Sequence, residues 1–252
     1  MIIATIAALT ILFSGGYEIF FIENVEKGIK EYVIEKDRRS ELLALTKEAK
    51  SLAKDYNKTR NSKYKDFKTL YTAFSTSEDQ LNAFFDDLTQ IQGEFQQDFM
   101  KKRVEVAAGI TDQEWDEIAI SSKAARQKKI DKAAKKSKKD KEVFLKTKKA
   151  IAEIEDTAKK EIILTELEKF TSDMMGLVKS IEAVNVHESE LLVKKSSSES
   201  ELLSLYDEIN VLRSKTFESI VSFHSVVKEN LDAETGEPLL ETFYKDLEIT
   251  AM

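Results

Sequence analysis

Residues 163–184 read ILTELEKFTSDMMGLVKSIEAV. Ile163, Leu167, Phe170, Met174, Leu177, Ile181 and Val184 follow one another in steps of four and three without a break. That spacing puts one apolar stripe along a helix, because 3.6 residues make a turn. A strand of this length would alternate every second residue instead.

The same spacing recurs on both sides. Leu42, Leu45, Ala49, Leu52 and Tyr56 form an earlier seam, which lapses over Asn57–Lys63 and resumes at Phe67, Leu70 and Phe74. Leu202, Leu205, Ile209, Leu212, Ile220, Phe223 and Val227 form a later one. In 252 residues there are seven Gly and one Pro. A sheet needs turns, and turns draw on Gly, Pro, Asn and Asp clusters that are scarce here. The predicted fold is therefore all-α, built from long antiparallel helical hairpins in a coiled-coil-like bundle.

The boundaries read as follows. Residues 23–110 predict a long helical hairpin, with one helix from about Tyr17 to Phe74 and a second from about Glu78 to Val106. Ser75, Thr76 and Ser77 supply the turn and the cap between them. Phe67, Leu70 and Phe74 are then expected to meet Leu81, Phe84 and Phe85. Residues 111–149 predict a capped short helix, opened by the capping box Thr111–Glu114, and a basic segment. Residues 150–231 predict long coiled-coil-like helices. A helix from about Glu142 to Val184 leads in, and Lys194–Ser200 is either a polar break or a solvated helical turn. Residues 232–252 predict a loop through Pro238 and a short helix from Leu239.

Residues 2–22, IIATIAALTILFSGGYEIFFI, stand apart from the charged remainder. As a helix they extend roughly 31 Å, close to the hydrocarbon core of a bilayer. Residues 1–22 are thus predicted to be a single membrane-spanning anchor that holds a helical rod by one end. A cleaved signal peptide fits less well, because no Lys or Arg precedes the apolar run. Ala4, Ala8, Gly15 and Gly16 would let another helix approach closely, and Glu18 is a carboxylate within the apolar window. Lys27, Lys30, Lys36, Arg38 and Arg39 follow the span, which predicts a cytoplasmic rod. A periplasmic or other envelope-facing rod is the alternative.

Charge is unevenly spread. Residues 123–149 hold 13 Lys/Arg against 3 Asp/Glu, in a chain of net charge −7. Lys128, Lys129, Lys135, Lys136, Lys138 and Lys139 form the densest part. Such a block suits anionic lipid headgroups near a membrane. Nucleic acid fits poorly, since Phe144 is the one aromatic among these lysines.

Catalytic chemistry has little to work with. There is no Cys, and the two His, His187 and His224, lie outside any metal-binding spacing. Asp232, Glu234 and Gly236 open like a calcium loop, but the Gly comes early and no bidentate Glu follows. The expectation is no enzyme, no cofactor and no metal.

A structural role follows: a membrane-anchored stalk or scaffold subunit of a larger membrane assembly. The alternatives are a membrane-tethered chaperone or adaptor that binds clients through its Phe-rich hairpin, and an accessory subunit of a transport or motor complex. Protein partners or a homo-oligomer are expected, because a lone hairpin covers one side of each helix. Burial of Phe84, Phe85, Phe95 and Phe99 favours the stalk; a broad exposed patch there favours client binding.

Overall fold

The computed structural model describes residues 18–122 and 144–249. Within these, the side chains of residues 18–23, 178–190, 192, 205, 208 and 248–249 lie outside the description. Among the described residues there are helices and no strands. In chain order they are α1 (Glu18–Tyr32), α2 (Lys36–Thr72), α3 (Glu78–Ala108), α4 (residues 112–122), α5 (Leu145–Ala152), α6 (Thr157–Val193), α7 (Glu199–Asn230) and α8 (Ala233–Ile249).

Two hairpins dominate. The first is α2–α3 and the second α6–α7, whose leading helices are each 37 residues long, roughly 55 Å. Ser77 and Ser198 start the return helices, each in a complete capping box, with Gln80 and Glu201. The tip of the first hairpin packs as its sequence requires. Phe67 lies 5.6 Å from Phe84 and 5.5 Å from Phe85, ring to ring.

The hairpins are laid against each other head to tail. α3 crosses α7 antiparallel: Phe85 stacks on Phe217 at 4.3 Å, and Asn210 donates to the Gln96 amide oxygen at 3.0 Å. Two cores result, each made from the tip of one hairpin and the base of the other. Phe67, Tyr71 and Phe85 join Phe170, Phe223 and Phe243 in one. Leu42, Phe99 and Trp115 join Leu202 and Tyr206 in the other. Leu167, Phe170, Met174 and Leu177 are all buried. Phe170→Ala and Leu177→Ala are each expected to cost about 2–5 kcal/mol. Chemical denaturation followed by circular dichroism checks this, and unchanged midpoints for both would mean that the face is not packed.

Several helix boundaries differ from those expected. The single helix over 17–74 is two helices. Val33 and Ile34 are β-branched and weaken the helix locally. Val33 turns inward at 1% exposure while Glu35 takes extended backbone ahead of α2. α1 then folds back along α2, tied by Glu26 to Lys50. The polar lapse at Asn57–Lys63 is continuous helix, with Lys63 paired to Asp87 across the hairpin.

The helix expected from Glu142 begins only after Phe144 and is broken at Glu153–Asp156, between α5 and α6. Phe144 has φ 56°, a left-handed conformation that costs an L-residue on the order of 1 kcal/mol. Its ring compensates by packing on Phe170 and Phe243 at 5.3 and 5.2 Å. α6 runs unbroken past Asn185 to Val193. The expected loop from Asp232 to Pro238 is mostly helix: Asp232 accepts from the Thr235 N–H at 3.0 Å, and Pro238 lies inside α8.

No helix among the described residues is long and apolar enough to cross a membrane. Residues 18–22, expected in the span, are the start of α1. That helix carries Val25 and Ile29 into a core, and Gly28 lies so close to Ile118 of α4 that a Cβ there would clash. The rest of the expected span lies outside the described residues.

Candidate functional site

The sites with most chemistry are the two places where a hairpin tip meets the base of the other hairpin. At the first, the turn after α6 leaves its last carbonyls without helical partners. Arg103, buried in α3, supplies them: it donates to the carbonyls of Lys194 at 2.7 Å, Ser197 at 3.3 Å and Lys195 at 3.4 Å. The Trp115 indole N–H donates to the Val193 carbonyl at 2.6 Å, and its ring lies under the Arg103 guanidinium at 5.2 Å. Burial pushes the Arg103 pKa down to about 10, so it stays a cation at neutral pH. Lys195 pairs with Asp112 at 2.5 Å on the rim.

α4, which carries Trp115, is fixed by its own start signal. Glu114 accepts from the Thr111 N–H at 2.9 Å and from Arg38 at 2.6 Å. Burial pushes the Glu114 carboxyl up, but the Thr111 and Arg38 bonds together outweigh it, and the pKa is lowered. Beside this junction runs an open groove of about 1050 Å³, lined by Val104, Ala107, Trp115, Ala119, Ile120 and the turn.

At the second junction, Lys228 of α7 donates to the Thr76 carbonyl and lies 6.0 Å from the Phe74 ring. Phe74 itself packs on Gly236, where any side chain would clash with it. His224 is fully buried beneath this tip, its ring 5.2 Å from that of Tyr71. Burial and then Lys228 push the His224 pKa down to about 4; the nearby Ala73 and Tyr71 carbonyls pull the other way and lose.

This makes stability depend on pH in a defined window. An unfolded His titrates near 6.5, so the folded state, which holds His224 neutral, binds fewer protons than the unfolded chain below that pH. Stability is full above about pH 6.5 and falls by about 3 kcal/mol as pH drops to about 4. The depressed carboxyls of Glu26, Glu114, Glu201 and Asp232 add their own loss only near and below their ordinary range. Urea midpoints between pH 6.5 and 5 measure this loss, and its share from His224 is what His224→Leu should remove.

The residues singled out from sequence divide three ways. Phe85, Phe95 and Phe99 are buried and Phe84 is partly covered, so the aromatic stripe is core. The Leu167–Leu177 seam is core as well. Ala4, Ala8, Gly15, Gly16 and the lysines at 128, 129, 135, 136, 138 and 139 lie outside the described residues, as do the side chains of Glu18 and His187. No group of His, Cys, Asp and Glu among the described residues could hold a metal ion.

Arg103 went unread in the sequence, and His224 was read there only as lying outside metal-binding spacing. Both interrupt an apolar stripe, Phe99–Arg103–Val106 and Ile220–His224–Val227, at helical spacing. A polar group at such a position is buried and must find partners. No family model, no curated protein and no solved structure matches this chain.

Proposed function

We propose that this protein is a membrane-anchored helical scaffold, held to a bilayer by the apolar run that leads into α1, whose bundle spaces and positions the subunits of a larger membrane-associated assembly. The observation that carries the reading is the burial of its seams. Phe85, Phe95, Phe99, Leu167, Phe170, Met174 and Leu177 are each at most 7% exposed. The aromatic stripe is thus spent on the chain's own core, which disfavours client capture through it. The anchor itself rests on the sequence, in which the run at 2–22 is the long stretch almost free of charge.

The burial also changes where partners are expected. Oligomerisation through the seams has lost its driving force, because the second hairpin already fills them. Partner contacts therefore fall to the outer faces and to the anchor. The Glu26–Lys50 pair sets α1 antiparallel to α2, and Glu18 lies about 12 Å further along, toward the middle of α2. On this reading the anchor joins the bundle through the start of α1, at the flank and not at the end that the sequence had suggested.

The test is membrane fractionation of two chains. The full chain is expected to stay with carbonate-washed membranes, and a chain beginning at residue 18 to be released as a soluble helical protein. A truncated chain that remains bound, or a full chain that washes off, defeats the proposal. High-salt release of the truncated chain would point to the basic block as the holdfast instead.

A further inference from the structure

We infer that this chain is a tandem duplication of one unit, and that its halves dock around an approximate two-fold axis as two copies of one protein would. The partner that each docking surface fits is therefore another copy of the unit. Counterparts lie 121 positions apart, as Ser198 lies after Ser77. The alignment needs no gap from α2 to the start of α8. α2 and α6 begin at Lys36 and Thr157 and end at Thr72 and Val193. The turns read STSEDQL at 75–81 and SSSESEL at 196–202.

The turns also share their bonds. The Thr76 hydroxyl donates to the Leu70 carbonyl at 2.6 Å, and the Ser197 hydroxyl to the Leu191 carbonyl at 2.6 Å. Their N–H groups donate to the carbonyls of Ala73 and Lys194. Thr111 and Asp232 cap α4 and α8 from equivalent places. Core positions correspond as well: Leu42 with Ile163, Leu88 with Ile209, and Val106 with Val227 are buried in both halves.

The docking is reciprocal. Arg103 and His224 are counterparts, each fully buried, and each lies beneath the tip of the other half. Midway between the Phe85–Phe217 and Gln96–Asn210 contacts stand Gln92 and Arg213, also counterparts and also buried. A two-fold axis passes where an element meets its own counterpart, so it passes there. The halves have diverged by exchange at the tips. Trp115 reaches up to one tip, whereas at the other Phe74 reaches down onto Gly236, the counterpart of Trp115.

A two-fold axis makes a specific demand on connectivity. It exchanges the step from 122 to 144 with the step from 243 to 23, so a connection of one length closes either. The test is a permuted chain: residues 144–249, then residues 123–143, then residues 18–122. It is expected to be a monomer by light scattering, with the helicity of the parent and the buried emission of Trp115. In parallel, a protease site placed between residues 132 and 133 of the full chain should be cleavable without separating the halves. A permuted chain that unfolds or forms only dimers overturns the inference, even if the cut halves stay together. Halves that part on cleavage overturn it as well.

Discussion

Arg103→Ala is expected to destabilise the protein by about 3–5 kcal/mol, the loss typical of breaking a buried charged network. The guanidinium serves three carbonyls of one turn and stacks on Trp115. Bonds to a charged donor contribute about 1.5–3 kcal/mol each, and removing the donor leaves buried acceptors unpaired. The cost of burying the cation is recovered, which keeps the net below the sum. Arg103→Lys keeps the charge but not the planar fork, and should fall between. Urea unfolding followed by Trp115 emission and by helicity measures both. A red shift of Trp115 before global unfolding is expected in Arg103→Ala, because the indole bonds the same tip. A loss under about 1 kcal/mol would show that packing alone holds the tip.

Phe243→Ala is expected to cost about 3–5 kcal/mol by opening the centre of the aromatic core. Its ring lies 4.4 Å from Phe223, 5.1 Å from Phe170, 5.2 Å from Phe144 and 5.5 Å from Tyr71. Those rings come from α7, α6, the approach to α5, and α2. The side chain therefore joins four parts of the chain, and their backbones cannot all move in to fill its volume. Val211→Ala, at a site 57% exposed, should stay within about 0.5 kcal/mol in the same denaturation series. Equal midpoints for the two variants would mean that the core relaxes around the missing ring.

Helix type was legible in the sequence because it depends on local spacing. The run from Ile163 to Leu177 and the capping signals at Ser77 and Thr111 are settled within a turn or two of chain. Breaks were less legible. Val33–Glu35 carries no Gly or Pro, and its turn is fixed by Val33 packing inward. Phe144 adopts left-handed backbone because distant rings hold it. Asp232, Glu234 and Gly236 looked like a loop, yet the same Asp serves as a helix cap.

The duplication stands in the sequence as STSEDQL and SSSESEL, but a short Ser- and Glu-rich match carries little weight in so charged a chain. Shared hydrogen bonds and shared burial give it meaning, and these exist only in the folded molecule. The sequence by itself determined that the chain is helical and where its first hairpin turns. Only the tertiary structure decided that the apolar seams face each other within one chain. A seam specifies that something apolar must cover it, since the hydrophobic effect is non-directional. What covers it was fixed by the head-to-tail crossing of α3 and α7, and by Arg103 and His224 beneath the opposite tips.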